Sequence, residues 1–426
     1  MATTKFLKAR VYSHLDNEGV RMQRIDRHPQ PVARLCFQLE WLKPVLGSLM
    51  LSCCLLPSFA AAQESSPMRV YVGTYTRGDS QGIYTFTLDM KTGKPSEPKL
   101  AAELANPSFV AISPDHQFLY CVNEVSDLPG PRGEKVGGVT SFKIDSDSGD
   151  LTKLNNQLSG GAGPCHLVVD STGRCLVVAN YGGGSVASLP IFEDGSLDEI
   201  TSFIRHIGSS VNPRRQEAPH AHSANIDANN QRVVVADLGL DKLLVYQLNP
   251  ETGTLSPNSP HSVSTQPGDG PRHFCFHPNG KFAYSNNELS SSLTAYSYDP
   301  ESGELSPLMT KSTLPGNREF EGNSTAETLV HPSGKFVYVS NRGHNSIAGF
   351  RIDDDGTIEP IGHTSTEGEI PRNFGIDPTG TFLLAANQNS DTIVVFRINQ
   401  KDGSLEPTGN VVNVPTPVCV RMIPID

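Results

Sequence analysis

The chain has 426 residues, a formal net charge of −11, 38 glycines and 32 prolines. That length admits one large domain or two to three ordinary ones, and the glycine and proline content implies many turns. The acidic balance speaks against nucleic acid, which recruits a basic face.

The first sixty residues differ from the rest. Arg21, Arg24, Arg27, Arg34 and Lys43 precede an apolar core, Val45–Leu56, and then Ser58-Phe-Ala-Ala-Ala-Gln63. A basic region, a short apolar core and an Ala-x-Ala end read as a secretory leader over residues 1–62, and the core is too short for a comfortable membrane span. Cleavage predicts an exported protein, periplasmic or secreted, with no stable membrane span after processing; an uncleaved leader predicts a cytoplasmic one. Residues 63–426 then hold 26 basic and 41 acidic residues, net −15, and five cysteines. Cys121, Cys165, Cys175, Cys275 and Cys419 are odd in number and lack CxxC spacing, which suits neither a disulfide framework nor a zinc site.

From Met68 onward two markers recur. One is a polar turn before an apolar run, as in His277-Pro-Asn-Gly-Lys, His331-Pro-Ser-Gly-Lys and Asp377-Pro-Thr-Gly-Thr. The other is an acidic turn built on Gly93, Gly149, Gly195, Gly253, Gly303, Gly356 and Gly403, at intervals of 46 to 58 residues. Between the markers lie short β-branched and aromatic runs such as Thr392-Ile-Val-Val-Phe-Arg-Ile398. Seven copies of about fifty residues, each with several short strands, predict an all-β, seven-bladed β-propeller over 63–426. The expected blades are 69–104 with 415–426, 105–158, 162–206, 219–266, 270–315, 324–367 and 370–412. The final run, Thr416–Ile425, has no following hairpin partner, so it is expected to join the first blade and close the ring, hiding sheet edges. Residues Ile207–Ala218 form a polar insertion carrying Arg214-Arg215.

In a blade the inner strand leaves one face and the second strand returns to it. Inner-strand starts therefore gather with second-strand ends around the channel. The starts include Cys165-His166, His220-Ala-His222, Pro271-Arg272-His273, Ala326-Glu327 and Pro371-Arg372. The ends include Asn123-Glu124, Asn180-Tyr181, Asn287-Glu288, Asn341-Arg342 and Asn387-Gln388. The recurrent asparagines read as turn residues, and His277 and His331 as structural groups on the opposite face. His222, Arg272, Glu288, Arg342, Arg372 and Gln388 break the repeat. Arginines collected at a channel mouth of an acidic protein point to an anionic small ligand. A salt-bridged scaffold without chemistry is the alternative.

The segments HSANID, GPRHFCFHPNGKFAYSNNE, HPSGKFVYVSNRGHNSIAGF and PRNFGIDPTGTFLLAANQNSDTIVVF resemble the lactonase family of seven-bladed propellers, which includes propeller-type 6-phosphogluconolactonases and fungal carboxymuconate cyclases. The resemblance covers about 68–426. It implies a mouth site with His222, Arg272, Glu288 and Arg372 as catalytic residues. Arg342, Gln388, His220 and His166 are expected to bind substrate, and His220 and His222 are not separable by motif. The expected ligand is an anionic small-molecule lactone and the expected state a monomer without cofactor; the sequence offers no metal motif, and an ion in the channel near Glu288 and Glu327 stays an alternative. The reaction expected is hydrolysis of 6-phosphogluconolactone or a related aldonolactone. A non-catalytic anion-binding propeller and a muconate-type cycloisomerase are the alternatives. Glu288 or His222 is expected to take the proton from water. The chain lacks GxSxG and HExxH, which argues against serine-ester and zincin chemistry.

Overall fold

The computed structural model describes residues 66–131, 133–317 and 320–425; the expected leader lies outside the described residues. Seven four-stranded antiparallel sheets make up the described chain, and their inner strands neighbour one another in a closed ring. This is the expected seven-bladed propeller. The last strand, Pro417–Pro424, pairs with the first, Met68–Thr74, and completes that blade with Gly82–Leu88 and Lys99–Glu103. The fifth blade runs Pro271–Phe276, Phe282–Asn287, Ser292–Asp299 and Glu304–Ser312.

The second strand of each blade is packed on both faces by neighbouring blades. Runs such as Val233-Val-Val-Ala236 and Leu383-Leu-Ala-Ala386 are accordingly apolar throughout and fully buried. The two sequence markers join blade to blade. The hydroxyls of Tyr71, Tyr284 and Tyr338 donate to the carbonyls of Gly149, Gly356 and Gly403 at 3.1, 3.1 and 2.8 Å. On the same opposite face, His277 Nε2 meets Gly334 O at 2.7 Å and His331 Nε2 meets Gly380 O at 2.8 Å. Those two histidines have the structural role expected of them.

One irregularity recurs at the channel mouth. Pro164 pairs with Asn180, Ala221 with Asp237, Pro271 with Asn287 and Pro371 with Asn387; in each blade the register then skips one residue. The skipped residues are Cys165, His222, Arg272 and Arg372. A bulge of this kind leaves one residue outside the ladder and re-aims its side chain. Glu288 N then donates to Gly270 O at 2.8 Å, and Tyr181, Leu238, Gln388 and Glu124 repeat that bond in their blades. The buried asparagines just before these positions tie strands together: Asn287 Nδ2 donates to Ser292 Oγ at 2.8 Å and Asn341 Nδ2 to Thr313 O at 2.8 Å.

Candidate active site

A cavity of about 340 Å³ opens at this mouth, lined by Glu124, Cys165, Tyr181, Arg215, His222, Glu288, Arg342 and Arg372. Glu288 is its electrostatic centre. Arg215 Nη2 donates to Glu288 Oε1 at 2.6 Å. Arg272 Nε and Arg342 Nη2 lie 2.9 and 3.1 Å from Oε2. Arg272 Nε is off the hydrogen-bonding direction and has no other acceptor among the described residues, so this contact is an ion pair rather than a directed bond. Burial alone would raise the Glu288 carboxyl, but Arg342, Arg272 and Arg215 outweigh it and hold it at about 2.

Arg272 does not line the cavity. It backs Glu288 from beneath, 2% exposed, with Nη1 donating to Ala326 O at 2.6 Å. Burial, with Arg372 and Arg342 nearby, pushes its guanidinium down to about 9, so it stays cationic at neutral pH. Arg342 Nη2 also donates to Thr325 O at 2.9 Å. Arg372 has different surroundings. Among the described residues it makes no hydrogen bond or ion pair, and its guanidinium carbon lies 5.4 Å from the Tyr75 ring centroid. One cation of the cavity wall is therefore free to meet an incoming anion.

His222 lines the cavity, with Nδ1 3.7 Å from Cys165 Sγ. Burial, then Arg272, His273 and Arg372, push its pKa well below the usual histidine value, so the imidazole is neutral. His220 stacks on the outer side of Tyr181 at 4.4 Å and is not part of the cavity wall. Gln388 occupies the slot equivalent to Glu288, but its amide turns to Asn389 Oδ1 at 3.3 Å, and it too is absent from the wall. His166 lies one tier deeper. It packs 5.3 Å from His273 and borders a second cavity of about 400 Å³ with Phe109, Glu327 and Arg421. There Glu327 Oε1 is 2.6 Å from His273 Nδ1, and Asn373 donates to Oε2.

Four contributors were not assigned from sequence. Glu124 and Tyr181 stand in the post-asparagine slot that drew attention to Glu288, so the slot itself was the signal. Tyr75 follows the first strand and touches Glu124. Arg215 comes from the insertion. Gln216 anchors that loop, donating to Leu238 O at 2.9 Å and Asp241 Oδ1 at 2.7 Å, and so carries Arg215 to Glu288 and to the Tyr181 hydroxyl at 3.2 Å.

Cys165 beside His222 has the look of a nucleophile and base. Burial pushes its thiol far up, so no thiolate forms at neutral pH. Cys165→Ala is expected to retain activity within about threefold, whereas loss of a true nucleophile would cost several orders of magnitude. Steady-state kinetics of the variant decide between them.

Fold and mouth together define a propeller with a ligand site on its axis, built from guanidinium groups around a carboxylate. The chain belongs to the lactonase family of seven-bladed β-propellers, whose sequence profile matches residues 69–422. It is 41% identical over 355 residues to a 6-phosphogluconolactonase of Bacillus subtilis (strain 168), covering 83% of this chain and 97% of that one. A 6-phosphogluconolactonase of Formosa agariphila is 36% identical over 313 residues, covering 72% and 86%. Among solved structures, the periplasmic gluconolactonase of Pseudomonas aeruginosa superposes with a TM-score of 0.79 at 34% identity, covering 85% of this chain and all of that one.

Proposed function

We propose that the protein hydrolyses a sugar lactone, 6-phosphogluconolactone or a related aldonolactone, to the open-chain acid. The observation that carries this is Arg372, a guanidinium on the cavity wall that makes no hydrogen bond or ion pair among the described residues. The names of the relatives, two 6-phosphogluconolactonases and a gluconolactonase, support the same reading.

A lactone is a cyclic ester, and water attack turns its carbonyl into an oxyanion. A pre-placed cation in a cavity shielded from water stabilises that charge strongly. Arg372, on the cavity wall, takes this role. The more exposed Arg215, together with Arg342, holds the substrate's phosphate or other anionic substituent. Glu288, at about 2, is too weak a base to deprotonate water at a useful rate; its work is to hold the arginines together. Neutral His222 offers a hydrogen bond to a substrate hydroxyl.

The test is turnover of 6-phosphogluconolactone and of unphosphorylated gluconolactone against their spontaneous hydrolysis. Acceleration of at least one by about 100-fold or more is expected of an enzyme using charge stabilisation. Tight binding of both without acceleration would overturn the hydrolase reading in favour of a binding platform.

A further inference from the structure

Attack by water on a lactone carbonyl releases a proton, and the cavity holds three groups able to receive it: Glu288, His222 and Glu124. Glu288 is saturated by three guanidinium groups. A proton on His222 would create a buried imidazolium beside Arg272 and Arg372, a like-charge arrangement that the low-dielectric site opposes.

Glu124 is different. Among the described residues it makes no ion pair. The Tyr75 hydroxyl donates to its Oε1 and Oε2 at 3.1 and 3.0 Å, and the Ser108 hydroxyl donates to Oε2. Asn106 Nδ2 donates to its backbone oxygen at 3.3 Å, which fixes the segment. Both donors to the carboxylate, Tyr75 and Ser108, are neutral. They aim the carboxylate without neutralising it, and they leave it facing the same cavity as Arg372 and Cys165. Burial raises Tyr75, against the pull of Arg372 and with that of Glu124, to about 12, so its hydroxyl stays a donor.

We infer that Glu124 is the general base that activates water, a catalytic residue of the lactone hydrolysis proposed above and dependent on that reading. The water oxygen bonds to the carbonyl carbon as its proton passes to Glu124. The carbonyl electron pair moves onto oxygen, facing Arg372. Collapse of the intermediate breaks the bond from carbon to the ring oxygen, which takes the proton back from Glu124. The new carboxylic acid then loses its own proton to solvent.

Glu124→Gln keeps an acceptor for Tyr75 and Ser108 but cannot take a proton. Its kcat is expected to fall at least about 100-fold with KM within about threefold, the pattern of a lost base. Formate should restore Glu124→Ala by about tenfold or more, because a small carboxylate can occupy the vacated space and accept the proton. Tyr75→Phe removes the hydroxyl but leaves the carboxylate, and its kcat is expected to stay within about tenfold of wild type. The inference is overturned if Glu124→Gln keeps more than about a tenth of wild-type kcat, or if its loss lies in KM alone. Should Glu124→Ala fail to fold, Glu124→Gln still decides. Wild-type protein that accelerates no lactone removes the hydrolase reading and this inference together. Wild-type turnover with a fully active Glu124→Gln removes only the base assignment.

Discussion

Arg372→Met is expected to lower kcat and kcat/KM together by about 100- to 1,000-fold while leaving the protein about as stable as wild type. A pre-placed donor to an oxyanion contributes about 3–4 kcal/mol to the transition state, and its removal acts on kcat rather than on ground-state binding. The stability half follows from what Arg372 lacks. Among the described residues it makes no direct ion pair, and the attraction of Glu124 and Glu288 for its charge is opposed by its repulsion with Arg272. Methionine fills similar volume and removes both the attraction and the repulsion. Kinetics on the turned-over lactone and a thermal melt measure both halves. A kcat within tenfold of wild type, or a clear fall in melting temperature, would refute the role given to Arg372.

Glu288→Gln should behave in the opposite way. It leaves Arg215, Arg272 and Arg342 converging on a neutral amide. Removing one partner of a buried ion pair costs about 3–5 kcal/mol, because the remaining charge stays buried without compensation. Chemical denaturation should therefore show a marked loss of stability, and activity should fall as the arginines move apart. Acid adds a second signature. The folded carboxyl sits at about 2 against an ordinary value of 4.5, so it is depressed by folding. Its contribution, about 3 kcal/mol, is present above pH 4.5 and is lost as pH falls from there toward 2. Wild type should lose that increment on acidification, and the variant should lack it. Added sulfate should raise the variant's melting temperature more than the wild type's, since the guanidinium cluster then has an open anion position. Equal stability of the two proteins at neutral pH would show that the cluster needs no central anion.

The propeller was legible because its markers are physical necessities. Gly356 and Gly403 sit at positive φ, with their α-carbons against the rings of Phe282 and Phe336 in the preceding blade. A side chain there would collide, so glycine returns at every blade. Expected and observed blades agree closely; the fifth was read as 270–315 and runs from Pro271 to Ser312. The meeting of Arg272 with Glu288 was legible too, as an inner-strand start and a second-strand end brought together at the open end of one hairpin. What the pattern did not carry was depth. Periodicity places Arg272 at the mouth, but not behind Glu288 rather than beside the ligand. It treats Glu124, Tyr181, Glu288, Arg342 and Gln388 as one slot, although Gln388 does not reach the cavity wall. Nor does it follow Arg215, because the reach of an insertion depends on its anchors, Gln216 and Asp241, and not on the repeat.

The residue skipped by the register at the start of four inner strands has a consequence for how such a molecule can change its trade. Cys165, His222, Arg272 and Arg372 stand outside the ladder that holds their blades. The scaffold does not depend on cross-strand matching at those points, so it tolerates a thiol, an imidazole or a guanidinium alike. The mouth works as a ring of sockets on a fixed turret. Refitting the sockets alters the chemistry presented on the axis, while the blades beneath keep their packing.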